Sequence, residues 1–244
     1  MDLSAEALVA ALAIILVGAA IRGFTGFGAS LIWVSGLALL MDVDEAVPII
    51  FCLEVVASAH LVRAVRGEVL WSSVWRLTGG AFFGLPLGVA VLLVLDASTM
   101  HVVVSIAVLA SAIWLATGWQ ARRSLTIAET IGVGVTSGIL NGATGAGGPP
   151  VIVMFLGSPA GISAGRASMI AYFGLIDLVG VAVVAAIGLL DTTALLRFAV
   201  LTPAMLIGAS LGERGFGAVR PERVRQVAIA TLAALALAGL VGQL

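Results

Sequence analysis

The chain has 244 residues, of which 61% are hydrophobic and only 10% charged, with a formal net charge of −1 and a mean hydropathy of +1.20. These values fall outside the range of ordinary soluble domains and fit a chain whose solvent is lipid. They exclude a soluble enzyme, and no stretch outside the apolar windows is long enough for a soluble domain.

In chain order, apolar windows are predicted at about 5–20, 29–41, 46–62, 77–95, 100–118, 126–140, 149–157, 165–188, 194–212 and 224–242. Several reach the roughly 20 residues needed to cross a hydrocarbon core as a helix, so the fold class is an all-α polytopic membrane protein. The start carries Asp2 and Glu6 and no basic segment, and is not read as a cleaved signal peptide. The single Cys52 lies in an apolar window, which excludes an intramolecular disulfide and suits a buried small hydrophobe.

The first two windows are separated by RGFTGFGAS, residues 22–30. Laid over GATGAG at 142–147, an offset of 119, the GFTGFG of 23–28 matches at all three glycines and the threonine. Near the same offset Glu54 falls against Asp177, Arg76 against Arg197, and the GLPLG of 84–88 against the GASLG of 208–212. The chain therefore reads as one integral membrane domain, 1–244, built from two repeats at about 1–118 and 125–244, with a joint near 118–124.

Basic residues favour cytoplasmic loops. All twelve here are arginine. If 5–41 and 126–157 each cross the membrane once, Arg63, Arg66, Arg76, Arg122 and Arg123 lie on one side and Arg166, Arg214, Arg220, Arg223 and Arg225 on the other, with no bias. If each stretch is instead a re-entrant hairpin bent at its glycine-rich tip, all ten share one face. Asp2, Glu6, Asp42, Asp44, Glu45, Asp96 and Asp191 then gather on the opposite face, with Arg197 near them. The arginine count favours two inverted repeats, each a hairpin followed by three transmembrane helices. Trp71, Trp75 and Trp119 flank the arginine-bearing loops as an aromatic belt would.

Irregular backbone within a bilayer needs protein or a water-filled cavity to satisfy its polar groups. A helix that begins at such a tip turns free N–H groups and the positive end of its dipole toward the cavity, a setting for an anion. Candidate substrate-binding residues are Arg22, Thr25, Gly26 and Gly28 in the first half and Asn141, Thr144, Gly145, Gly147 and Gly148 in the second. Pro149 and Pro150 suit the first turn of a helix, where a missing N–H is tolerated. The alternative reading, glycine for close helix packing, is the better account of GLPLG, GASLG and GVTSG.

Arg22 is the strongest single pointer. A guanidinium near the bilayer centre costs roughly 2.5 to 3.5 kcal/mol even on lenient scales, so it should face a cavity or a partner. Its fork of donors matches oxyanions. The competing reading is a structural ion pair with Glu54 or Asp177, and the two coexist if substrate displaces the carboxylate. Glu54 and Asp177 serve either proton coupling or charge balance for Arg22. His60 reads as interfacial and His101 as solvated.

No metal or cofactor is expected, since two histidines and one cysteine make no ligand cluster. There is no HExxH and no P-loop, and the GxSxG formally present at 208–212 lies in an apolar helix rather than a strand-turn-helix, so an enzyme is not expected. The arginines are divided among short loops, which argues against nucleic acid as a partner.

RGFTGFGASLI in the first half and NGATGAGGPPVIVMFL in the second resemble the paired signatures of the sulfite exporter TauE/SafE family, small duplicated permeases. The resemblance covers essentially the whole chain. It implies secondary transport, in the export direction, of sulfur-containing oxyanions such as sulfite or organosulfonates across a bacterial inner membrane. The expected partners are the small anion, the bilayer and protons, and a homodimer is compatible. Many members have three consecutive glycines at the tips, whereas this chain has Gly28-Ala29-Ser30 and Gly147-Gly148-Pro149, which leaves the exact substrate open. An anion channel and a permease for other small carboxylates are the alternatives.

Overall fold

The computed structural model describes residues 4–37, 39–92, 123–144 and 147–219, with scattered positions within 109–117 and 223–234. The windows predicted at 100–118 and 224–242 lie mostly outside the described residues, as do Asp96, His101, Trp119 and Gly145. Among the described residues eight helices are delimited: α1 Ala5–Thr25, α2 Ala29–Leu37, α3 Val43–Val65, α4 Trp71–Leu92, α5 Ile127–Thr144, α6 Gly148–Leu156, α7 Ile162–Ala186 and α8 Thr192–Gly217. No strand is found among the described residues. Among the described residues four stretches, Ala5–Thr25, Glu45–Val65, Ile162–Ala186 and Thr192–Gly217, are long and apolar enough to cross a membrane.

The helix ends follow local chemistry. Ser4 caps α1 by accepting from the Ala7 N–H at 3.2 Å, and Asp191 caps α8 by accepting from the Ala194 N–H at 2.7 Å. α1 stops at Gly26, whose φ of +88° closes a left-handed cap, and Gly28 at +89° turns the chain into α2. A side chain at either position would be strained, which is why glycine stands there. In the second half α5 ends at Thr144 and α6 starts at Gly148 with Pro149 and Pro150 in its first turn. Both predicted glycine-rich tips are therefore breaks between a long helix and a short one of 9 residues.

The chain separates into two compact units, Met1–Arg66 with Phe173–Ala218, and Gly67–Tyr172 with Val219–Leu244. α7 contributes to both.

In the first unit α2 folds back along α1. A Cβ at Gly36 would press on Ile14, and one at Gly18 would collide with the indole of Trp33, so the two helices run antiparallel. The same indole donates to the Ile15 carbonyl at 3.1 Å. α8 runs parallel to α1 with backbones in contact, because a Cβ at Gly208 would strike the Leu16 carbonyl and one at Gly212 the Ala20 carbonyl. α3 also runs parallel to α8, tied by Glu45 to Arg197 at one end and by His60 Nε2 to Ser210 Oγ at 3.0 Å further on.

The second unit repeats the α1/α8 relation between α5 and α4. These helices are parallel, and Cβ atoms at Gly80 and Gly84 would strike the carbonyls of Ile131 and Val135, while those at Gly134 and Gly138 would strike Leu77 and Ala81. GLPLG, GASLG and GVTSG thus contribute glycines to close helix contacts, as their spacing indicates.

Candidate functional site

Arg22 lies in the last turn of α1 and is 1% exposed. Its Nη1 stands 2.6 Å from Oε2 of Glu54, and its Nη2 donates to Ser58 Oγ at 2.6 Å. Glu54 and Ser58 are four residues apart on α3, so both project from one face. From α7, the Phe173 ring lies 5.7 Å from the guanidinium carbon, and Asp177, four residues on, is 8% exposed and within electrostatic reach of both Glu54 and Arg22. Gly174 permits this approach, since a Cβ there would come within 2.5 Å of Ser58 Cβ. Ser30, at the start of α2, faces the same carboxylate with its N–H and hydroxyl.

The cluster is charged, buried and incompletely bonded. Nε of Arg22 and both carboxylate oxygens of Glu54 have no hydrogen-bond partner of good geometry among the described residues, although the ion pair is in contact. Such groups are normally satisfied by protein, water or ligand. A guanidinium with an unused donor can receive an anion, and the buried carboxylate beside it can take up a proton.

The tip itself is held by Thr25. Its hydroxyl lies 2.8 Å from the Ile21 carbonyl and 2.9 Å from that of Phe27, either of which it can donate to, and it accepts from the Phe27 N–H at 3.3 Å. Gly26 donates its N–H to the Arg22 carbonyl at 2.6 Å. These contacts make Thr25 and Gly26 shapers of the turn that follows Arg22.

Asn141, Gly147 and Gly148 belong to the other unit. Asn141 Oδ1 accepts from the Gly147 N–H at 3.4 Å, and the Ser137 hydroxyl donates to the Gly147 carbonyl. Ser137 Oγ also lies 2.8 Å from the Tyr172 hydroxyl. A Cβ at Gly147 would crowd Ser137 and Asn141, so this glycine lets the tip pack on α5. Thr144 ends α5, and Gly145 lies outside the described residues.

Sequence reasoning did not single out Ser30, Ser58, Phe173, Ser137 or Tyr172. Ser58 carried a signal, its spacing of four from Glu54 within an apolar window. Arg166 was counted among the loop arginines, yet it is 1% exposed inside α7. Among the described residues no group of three or more His, Cys, Asp or Glu could hold a metal ion.

The profile of the family described as "Sulfite exporter TauE/SafE" matches residues 10–239. The chain is 27% identical over 216 residues to a protein of Cupriavidus necator named "Probable sulfite/organosulfonate exporter TauE", a match covering 85% of this chain and 84% of that one. No solved structure matches the chain. A profile match over nearly the full length makes this chain a member of the sulfite exporter TauE/SafE family, whose members are membrane transporters and not enzymes.

Proposed function

We propose that the chain is a secondary transporter exporting small sulfur-containing oxyanions, sulfite or organosulfonates, across a bacterial inner membrane. Family membership and the name of the Cupriavidus necator relative support the substrate class. The observation that carries the reading on this chain is Arg22: a buried guanidinium with an unused Nε, set at a glycine break between two helices and paired with the buried carboxylate of Glu54.

In this mechanism the anion takes the guanidinium from Glu54. A planar fork suits a sulfonate or sulfite, whose oxygens accept two N–H bonds at once. The displaced carboxylate would be left unpaired in an apolar setting, so it takes up a proton, with Asp177 as the second acceptor in the same cluster. Anion and proton are thereby linked through one arginine. Thr25, Gly26 and Gly28 set the turn that presents Arg22. Asn141, Thr144, Gly147 and Gly148 form the corresponding backbone element of the second half, and Gly145 is assigned to the same site from its place in the sequence.

Each tip belongs to a re-entrant hairpin. α2 and α6, at 9 residues each, extend only about 13 Å and are too short to cross alone. For the second hairpin, Arg123, Ser124 and Leu125 before α5 and Ser158 and Pro159 after α6 line one cavity of about 170 Å³, so entry and exit lie together. For the first, Glu54 is near the middle of the 23-residue α3, which supports a deep position for Arg22. Duplication is supported by register: Gly84 meets Val135 as Gly208 meets Leu16, and these pairs differ by the 124 and 119 positions at which the two halves align. The arginine distribution supports an inverted arrangement of the repeats.

The test is binding and flux on purified protein with sulfite, thiosulfate, sulfoacetate, taurine and simple carboxylates. Saturable, sulfur-anion-selective flux that responds to a pH gradient or membrane potential is expected. Conductive flux without saturation would make the protein a channel, and preference for carboxylates would move the substrate class.

A further inference from the structure

A second arginine in the first unit lacks full pairing. Arg197 is the sixth residue of α8 and is 7% exposed, yet its Nε has no hydrogen-bond partner among the described residues. Its Nη1 is 2.6 Å from Oε2 of Glu45 and 3.9 Å from the sulfur of Met41. Glu45 is in the first turn of α3, and its side chain is 49% exposed against 8% for Arg197. The pair is thus lopsided: a buried cation with a spare donor, covered by a carboxylate that solvent already reaches. Solvation of the freed carboxylate makes its release easy, whereas Glu54 at 1% exposure has no such recourse.

Position adds a second argument. Arg197 lies within two turns of the start of a helix long enough to cross a membrane, and Glu45 lies at the start of a parallel one. Both are therefore near an end of the span, on the face where the acidic residues of the sequence collect and away from the arginine-rich loops. Arg76 is likewise the sixth residue of α4, so both repeats carry an arginine at this place in corresponding helices.

The geometry points to Arg197 as a second, outer anion subsite that receives the oxyanion at the non-cytoplasmic mouth, with Glu45 as the carboxylate that holds the place between passages. The assignment rests on the anion-transport reading above. Its chemistry is a small oxyanion with at least two acceptor oxygens, which would bond Nε together with a terminal nitrogen. A plain structural strap makes a different prediction, because removing either partner of a strap weakens the same contact.

The experiment is sulfite counterflow into proteoliposomes with KM measured separately from each face, on wild type, Arg197→Gln, Arg197→Lys, Glu45→Gln and Arg22→Gln. From the non-cytoplasmic face, Arg197→Gln should raise KM about ten-fold, the scale of one lost charge-assisted bond, with Arg197→Lys between it and wild type. Glu45→Gln should lower KM on that face by roughly two- to five-fold, since a half-exposed competitor is removed. The KM from the cytoplasmic face should stay put for all three. Equal shifts on both faces, or shifts of the same sign for Arg197→Gln and Glu45→Gln, would overturn the subsite. Should Arg197→Gln fail to fold, Glu45→Gln decides alone, and an unchanged or raised KM overturns it. Arg22→Gln separates the two readings: unchanged flux from both faces would refute the central site whatever the Arg197 variants do.

Discussion

The Glu54 carboxylate stands 2.6 Å from Nη1 of Arg22, with side-chain exposures of 1% and 2%. Two opposite charges at that depth attract strongly, but both have given up hydration, so the pair itself adds little net stability. What it does fix is alternatives: each group is tolerable only while something occupies its partner's place. An arrangement that is costly to break by subtraction and easy to satisfy by exchange is suited to binding a mobile anion.

Arg22 variants test this most directly. Arg22→Lys keeps the charge and loses the fork, while Arg22→Gln loses both, so anion affinity should fall in the order Arg, Lys, Gln. Loss of a charge-assisted hydrogen bond weakens binding by about ten-fold to a hundred-fold, or roughly 1.5 to 3 kcal/mol. Isothermal titration in detergent with sulfite reads it. A folded Arg22→Gln protein with wild-type affinity would make the arginine purely structural.

Replacing the acidic partners should move pH dependence more than affinity. Glu54→Gln and Asp177→Asn preserve shape and delete a titrating group; Glu54 pairs with Arg22, and Asp177 lies within electrostatic reach of it. Flux measured across a range of external pH should flatten in at least one variant. Identical profiles for wild type and both variants would remove these residues from proton coupling.

The tips were legible because their chemistry is local. Positive φ at Gly26 and Gly28 and proline at the start of α6 announce breaks whatever the rest of the chain does. Close packing by Gly84 and Gly208 was legible as spacing. Partner choice was not: hydropathy flags Arg22 and Glu54 as misplaced in apolar windows, but the contact depends on how α1 and α3 lie together. Ser58 and Phe173 complete that contact from two helices and carry no charge to draw notice. Arg166 shows the converse error. Counting arginines as loop markers treats them as solvated, and a buried one inside α7 breaks the assumption.

Topology yields a third test. The 118–124 and 158–165 segments should share the cytoplasmic face, since Arg123 and Ser124 line the same cavity as Ser158 and Pro159. In a Cys52→Ser background, single cysteines introduced at Ser124 and Ser163 should label together from one side. Labelling from opposite sides would end the re-entrant reading of α5 and α6.

The exposed first turn of α5, which is not among the four stretches long and apolar enough to cross a membrane, offers a pH test. Glu129 receives both terminal nitrogens of Arg123 at 2.7 Å and the Thr126 N–H at 2.7 Å, while its own N–H donates to the Thr126 hydroxyl at 3.3 Å, a capping box. The Arg123 guanidinium first, and then the Thr126 donors, pull its carboxyl down to about 2. The unfolded value is higher, about 4.3, so this anchoring is complete above that pH and fades as pH falls toward the folded value. Carbon-13 NMR of the Glu129 carboxyl should titrate well below the ordinary glutamate range. A midpoint near about 4.3 would mean that the cap and ion pair do not form in solution.

Neighbouring glycines in α4 provide a matched stability test. Gly79 is exposed, with no atom within 4 Å of where a Cβ would sit, whereas a Cβ at Gly84 would strike the Val135 carbonyl. Gly79→Ala relieves a helix of its glycine and should be neutral or stabilising by up to about 1 kcal/mol. Gly84→Ala must push α4 off α5, because backbone cannot swing aside as a side chain can, and should cost about 1 to 3 kcal/mol. Gly208→Ala meets the Leu16 carbonyl in the same way between α8 and α1, so its loss should be similar. Thermal melting in detergent should rank Gly79→Ala at or above wild type, with the other two together below it. If all three melt alike, direct backbone contact is not what these glycines supply, and the shared register of the two helix pairs loses its physical reason.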